Sequence, residues 1–366
     1  MAKLINVGVK KFRKNVIDKK IILWGAGKLA PYYIRTFCKN LNIFCIIDGN
    51  KNLCGNNLTV DDINYPVITE EELLHQLENN RLSKNIAFFI TPTSYAGEII
   101  KHINTIETFD TMECYAGVLL RDFYEASSFK FSEDEDKIQK KIHYCWFGGK
   151  EIPDYLKTYM ESWKRLCPDY EIIRWDEHNY DVSKNRYMKE AYECGKWGFV
   201  PDYARLDIVY NEGGIYLDTD IEVLAPLDRL LKDEMFCGFG CNYQINFGNG
   251  FGAIKKHPLI KRLRDYYDNL SFYHQNGKLN LKTCYEYQHP VLQDFGFELE
   301  NRYQKIQGVV LYPSEVLSPD IGFVSKNYTE NTISVHHCEY SWASEKERKA
   351  LELFKNELDK LITVTC

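Results

Sequence analysis

Two aspartates one residue apart, Asp218 and Asp220, close the segment Asn211-Glu212-Gly213-Gly214-Ile215-Tyr216-Leu217-Asp218-Thr219-Asp220. In extended chain, side chains two residues apart point the same way, so both carboxylates can converge on one ligand. Carboxylates that close repel unless one is protonated or a cation sits between them, and hard divalent ions take oxygen ligands of this kind. An acidic turn is the plain alternative for an isolated Asp-x-Asp. Here the pair follows a helix end marked by two glycines and a short apolar strand. Upstream, a helix is predicted from Phe199 to Tyr210 with Pro201 in its first turn, and Asp202 and Arg205 share one of its faces. Such a pair forms an exposed salt bridge or, facing a cleft, offers a hydroxyl acceptor and a fork for phosphate oxygens.

These residues need a scaffold, and 366 residues suit two domains. With 45% hydrophobic and 27% charged residues the chain falls in the globular class, which excludes a disordered or fibrous one. A net charge of -6 gives no electrostatic basis for a nucleic-acid partner, and an anionic ligand would need a local cation such as Arg205. Twelve cysteines without a Cys-x-x-Cys pair point to reduced thiols and a cytoplasmic location. The first residues do not read as a signal peptide, and no 18-residue apolar run reads as a membrane span.

Residues 1–125 read as a small Rossmann-like parallel α/β domain. Strand Lys20 to Trp24 runs into Gly25-Ala26-Gly27-Lys28-Leu29-Ala30 and a helix, and strand Ile43 to Ile47 ends at Asp48, where a ribose-binding acid would stand. Gly25, Gly27 and Asp48 are therefore candidates for binding a nucleotide or cofactor; close packing of helix on strand is the alternative use of the glycines. An NAD-dependent oxidoreductase built on this domain is the rival reading of the whole chain. Residues 126–137, with Ser132-Glu133-Asp134-Glu135-Asp136-Lys137, read as a linker. Residues 138–366 form the second domain, closed by a helix carrying Leu351, Leu353, Phe354, Leu358 and Leu361, whose mixed-charge polar face marks a packing helix rather than a membrane anchor.

The run from Pro201-Asp202-Tyr203-Ala204-Arg205 through Gly213-Gly214-Ile215-Tyr216-Leu217-Asp218-Thr219-Asp220 resembles the signature of glycosyltransferase family 32. Lys141 to Gly149, Asn246 to Ala253, Leu311-Tyr312-Pro313 and His336 to Trp342 follow in that family's order, so the resemblance spans about residues 138 to 342. It implies a GT-A type transferase domain, a nucleotide-sugar donor such as a UDP-sugar, Mn2+ or Mg2+, and transfer with retention at the anomeric carbon. Carried over by position, Trp146 stacks on the donor base, Asp202 binds sugar hydroxyls, and Arg205 holds sugar or phosphate. Asp218 bridges donor and metal-bound water, and Asp220 ligates the metal directly. Of His336 and His337 only one can face the metal; His337 is the favoured one, and a buried structural histidine is the alternative. Ser341 and Trp342 would close over the phosphates, and Asn249 would contact the sugar or simply form a turn. Gln288-His289-Pro290 replaces the Thr-Gly-Pro common in the family. The acceptor implied is a glycan or lipid-linked glycan of bacterial surface polysaccharide synthesis, such as capsule, with peripheral attachment at the inner face of the membrane.

Overall fold

The computed structural model describes residues 3–79, 85–110, 112–120, 129–240, 244–319, 328–339 and 345–365. The chain divides into two compact units, Met1–Phe123 with Ala343–Cys366, and Tyr124–Trp342. Both are α/β, as the alternation of apolar strands and helices implies.

The first unit is an eight-stranded sheet in the order Ile362–Thr365, Lys3–Asn6, Glu113–Ala116, Ile86–Ile90, Lys20–Trp24, Ile43–Ile47, Ile63–Ile68, Asn57–Val60. All neighbours are parallel except the last pair, a hairpin. Helices flank a parallel sheet on both faces, so its central strands are apolar at every position: Ile21, Ile22, Leu23 and Ile86 to Ile90 are all buried. The glycine turn leaves Lys20–Trp24 where the strand order reverses, the place such folds bind ligands. Its wiring differs from the expectation, however. Gly25, at φ +110, packs so tightly that a Cβ would lie 2.6 Å from Thr91 Oγ1. Asp48 is turned onto the backbone: Oδ2 accepts from Ala26 N–H at 2.7 Å and Oδ1 from Asn50 N–H at 2.8 Å. The carboxylate expected on a ribose hydroxyl thus braces the turn, Gly25 allows the close packing, and around Gly27 there is open space.

The second unit is a seven-stranded mixed sheet in the order Gln304–Ile306, Val309–Tyr312, Met235–Gly238, Phe251–Ala253, Gly214–Tyr216, Lys141–Cys145, Glu171–Trp175. Phe251–Ala253 runs antiparallel to both neighbours, while Gly214–Tyr216, Lys141–Cys145 and Glu171–Trp175 are mutually parallel. Alternate residues enter two separate cores: Val309 and Leu311 join Tyr203, Leu206 and Phe251, whereas Val310 and Tyr312 join Trp163, Ile215 and Leu217. A two-stranded ribbon, Ile221–Val223 with Ser334–His336, completes the unit.

Two boundaries move. The C-terminal helix Glu345–Leu361 belongs with the first unit: Leu351 and Phe354 are buried, Phe354 packs against Gly97, Lys101 pairs with Glu357, and the following strand Ile362–Thr365 adds to the edge Lys3–Asn6. Spacing showed a packing face but not what it packs on, and Leu353 is half exposed. The described part of the expected linker, 129–137, is folded into the second unit. Phe129 stacks on Tyr303 with centroids 5.0 Å apart, and Asp136 pairs with Lys232 at 2.6 Å.

One buried histidine ties strand, strand and helix end together. Trp175 Nε1–H donates to His143 Nδ1 at 3.1 Å, and the opposite ring nitrogen of His143 donates to Gly213 O at 2.8 Å. Burial pushes the His143 pKa down to about 4, and that of His289, whose Nε2 accepts from Ile245 N–H, also to about 4. Both values lie below the unfolded 6.5, so between pH 6.5 and 4 the unfolded chain binds more protons and stability falls as pH falls. Each histidine contributes up to about 3 kcal/mol to that loss. Asp202, whose carboxyl is raised to about 7, acts in the opposite sense over the same range, so the difference between variants carries the test. His143→Gln, which keeps a donor and an acceptor without titrating, should lower the pH slope of stability, read from urea midpoints between pH 7 and 4.5, by about one proton's worth relative to wild type; an unaltered slope contradicts the assignment.

Candidate active site

The helix Pro201–Glu212 is buried along most of its length and stops at Gly213, φ +68, followed by Gly214, φ +92. A Cβ on Gly214 would lie 2.9 Å from Lys141 O, so only glycine lets the chain turn there directly into the strand Gly214–Tyr216. Because helix and strand run in opposite directions, the helix N-terminus with Asp202 and Arg205 lies at the carboxyl end of that strand, where Asp218 follows. Trp146 emerges at the same end of the parallel neighbour, which pairs Ile142 with Ile215 and His143 with Tyr216. Asp218-Thr219-Asp220 is a turn, closed by Ile221 N–H donating to Asp218 O at 3.1 Å, rather than extended chain. The two carboxylates converge through that turn and through the ribbon that follows.

Arg205 Nη2 donates to Asp202 Oδ1 at 3.2 Å, its Nη1 lies 3.5 Å from Asp218 Oδ2, its Nε donates to Pro201 O, and the guanidinium sits over the Tyr216 ring. Tyr216 Oη–H donates to Asp218 Oδ1 at 2.9 Å. His336 Nε2 is 3.1 Å from Asp220 Oδ1, and Asp220 Oδ2 accepts from Glu339 N–H at 3.0 Å. On its other side His336 Nδ1 meets Asn249 Oδ1 at 2.7 Å. The Asp202 and Arg205 side chains are 5% and 4% exposed against 26% for Asp218, so a ligand reaches the cluster from the Asp218 side.

Burial, reinforced by the charge of Asp218, pushes the Asp202 carboxyl up to about 7 in spite of Arg205. Asp218 is likewise raised by burial and by Asp220 beside it. Burial would raise Asp220 too, but the charge and hydrogen bond of His336 and the Glu339 N–H outweigh it and hold Asp220 at about 2. His336 shows the reverse balance: burial opposes its charge, yet Asp220 lifts its pKa well above the ordinary range. Three carboxylates here face one guanidinium and one imidazole, which is the electrostatic setting of a cation site.

Ligand atoms of Asp218, Asp220 and His336 all lie within 4.8 Å of one another. Two carboxylates and an imidazole fit Mn2+ well and Mg2+ through the oxygens. His337, favoured from the sequence, points elsewhere. The ribbon pairs Ile221 with His336, so the next residue faces the opposite side: His337 bonds Glu222 at 2.9 Å and stacks on Tyr159 at 4.0 Å. Asn249, expected on the sugar, is buried and tied to His336. Trp146 is half-buried, its Nε1–H donating to Lys150 O at 2.6 Å, with no bond to the carboxylate cluster among the described residues. Ser341 and Trp342 lie outside the described residues. Sequence reasoning also passed over Tyr216 and Gly248. A Cβ on Gly248 would lie 2.5 Å from Asp218 Oδ2 and 3.1 Å from Arg205 Nη1, a closeness that no spacing rule discloses.

Residues 153–237 match the family described as the glycosyltransferase sugar-binding region containing a DXD motif. Inositol phosphoceramide mannosyltransferase 1 of Schizosaccharomyces pombe is 29% identical over 137 residues, 34% of this chain and 41% of that protein. Subversion of eukaryotic traffic protein A of Legionella pneumophila is 32% identical over 133 residues, 29% of this chain and 20% of that one. The chain thus spans less than half the length of either relative. Among solved structures, the PaToxG glycosyltransferase is similar over 43% of this chain and 69% of its own, at 19% identity and a TM-score of 0.35. Asp202, Arg205, Asp218 and Asp220 all fall inside the matched segment, which is similar to the DXD sugar-binding region of glycosyltransferases.

Proposed function

We propose that the chain is a metal-dependent glycosyltransferase of GT-A type that moves a sugar from a nucleotide-sugar, in the first instance a UDP-sugar, to a glycan acceptor. Retention at the anomeric carbon follows from the resemblance to family 32. The observation that supports this reading best is the convergence of Asp218, Asp220 and His336 beside the buried Arg205–Asp202 pair. Asp220 and His336, with Asp218, would hold Mn2+ or Mg2+, which when bound offsets the charge that develops on the departing diphosphate. Arg205 is held rigidly by Pro201 O, Asp202 and the Tyr216 ring, so its charge is fixed before substrate arrives and needs no reorganisation. Asp202 gives one oxygen to Arg205 and the other to a sugar hydroxyl. Trp146, at the same end of the sheet, stacks on the base.

The acceptor is read as a glycan or lipid-linked glycan of surface polysaccharide assembly, met at the inner face of the membrane; the relative named for inositol phosphoceramide is in keeping with a lipid-borne acceptor. No helix among the described residues is long and apolar enough to cross a membrane. The oxidoreductase reading is weaker because Asp48, its ribose ligand, is engaged by Ala26 and Asn50 N–H.

The direct test incubates the protein with a panel of nucleotide-sugars and Mn2+ and measures released nucleoside diphosphate with and without EDTA. Turnover with one donor, abolished by EDTA, is expected; absence of metal-dependent turnover with every donor, together with NAD binding, overturns the reading. Asp220→Asn should lower kcat/KM by more than about 100-fold, beyond what outer-shell partners of a metal cost, with an unchanged far-ultraviolet spectrum. Near wild-type activity would remove Asp220 from the ligand set. Trp146→Ala should raise the donor KM about tenfold, since one stacked base is worth roughly 1–3 kcal/mol; an unchanged KM places the ring in a structural role. Gly248→Ala, which presses on Asp218 and Arg205, should cut kcat by about 100-fold, the usual consequence of displacing reacting groups by an ångström. Full activity in that variant would show that the contact relaxes.

A further inference from the structure

The turn Phe247–Asn249 is more ordered by polar contacts than a connection between strands requires. Asn246 Oδ1 accepts Gly248 N–H at 2.8 Å and Cys284 Sγ–H at 3.3 Å, and Asn249 N–H returns to Asn246 O at 3.0 Å. So pinned, three consecutive residues present Gly248 to Asp218 and Asn249 to His336. Asn249 is 2% exposed, and its Nδ2 is buried without a partner among the described residues. A buried amide with an unmet donor lowers stability, and a leucine of nearly the same size would relieve it. The feature that explains an asparagine here is the 2.7 Å contact from its Oδ1 to His336 Nδ1.

We infer that Asn249 is a positioning residue for the cation site: its side-chain carbonyl holds the proton of His336 on Nδ1, so that Nε2 faces Asp218 and Asp220 with its lone pair available to a divalent ion. This rests on the reading of those residues as a metal site. A carbonyl oxygen only accepts, so the ring nitrogen beside it must carry hydrogen, and an imidazole binds metal through the other nitrogen. Outer-shell partners of ligating histidines act in this way, setting tautomer and ring orientation together. His336 Nε2 already reaches Asp220 Oδ1 at 3.1 Å, and Asn249 fixes which nitrogen arrives. The same contact leaves the Asn249 carbonyl committed to His336, which argues against its use on a sugar.

The test measures Mn2+ affinity of the full chain without donor, by electron paramagnetic resonance of free Mn2+, alongside melting temperature and steady-state kinetics. Asn249→Leu is expected to melt at or above the wild-type temperature while its Mn2+ Kd rises about 10- to 100-fold. Asn249→Asp keeps an acceptor for Nδ1–H and is expected to bind Mn2+ at least as tightly as wild type. An unchanged Mn2+ Kd in Asn249→Leu with only the donor KM raised overturns the inference in favour of a sugar contact. Equal weakening in both variants also overturns it, since acceptor chemistry would then be irrelevant, and Asn249→Asp decides the matter should Asn249→Leu not fold. A wild-type chain that binds no Mn2+ instead brings down the metal-site reading itself, and this inference with it.

Discussion

Burying carboxylates side by side is the constraint around which the second unit is arranged. Asp202, Asp218 and Asp220 are withdrawn from water to different degrees, and each desolvated charge costs several kcal/mol unless it finds partners. Arg205 serves Asp202 and Asp218 at once, Tyr216 adds a hydroxyl to Asp218, and His336 with the Glu339 N–H serves Asp220. Those partners come from a helix, a strand, a ribbon and the segment beyond it. Their positions are therefore set by the whole sheet, and the cluster exists only when all four are in register.

The helix Pro201–Glu212 shows what this does to a local pattern. Its polar residues are buried beside its apolar ones: Asp207 is held by Tyr180, Lys184, Arg264 and Asn211. A surface helix would show an apolar stripe, whereas this one is enclosed on nearly every side and shows none. Its ends are what made it legible, Pro201 in the first turn and the glycine pair after the last. Polar residues in an enclosed helix must pair, so Asp202 and Arg205 are joined in a buried ion pair, where spacing alone also allowed a solvated salt bridge.

What the sequence made legible followed from local physics. The strands Lys20–Trp24 and Ile43–Ile47 are legible because parallel strands covered on both faces are apolar throughout. The hairpin Asn57–Val60 with Ile63–Ile68 carries no local signal, because its turn places Asp61 and Asp62 at φ +49 and +64 without the glycine that usually marks such a turn. The choice between His336 and His337 depended on strand parity, and a slip of one residue exchanges the faces. That parity is set by pairing with Ile221 more than a hundred residues upstream, information no local window contains. The C-terminal helix joins the first unit rather than the second for a related reason: periodicity reports that a face is buried, never which element buries it.

The same residue type at the end of a strand has opposite meanings in the two units. Asp48 follows an apolar strand beside a glycine turn, as a cofactor-binding acid would, yet both its oxygens are met by backbone N–H groups of its own neighbourhood. Its hydrogen-bond demand closes locally, and its negative charge occupies the donors that a phosphate would approach. Asp218 and Asp220 also follow an apolar strand, but their demand does not close: the two carboxylates stay close to each other, with Asp218 a quarter exposed and a histidine driven toward its charged form to balance them. A chain selected for stability alone gains nothing from such an arrangement, because well-packed apolar residues are commonly as stable as a buried ion cluster or more so. The surplus of negative charge is therefore best understood as a demand addressed to something outside the chain, and it is this open demand, more than the Asp-x-Asp spacing, that separates the second unit's carboxylates from the first unit's.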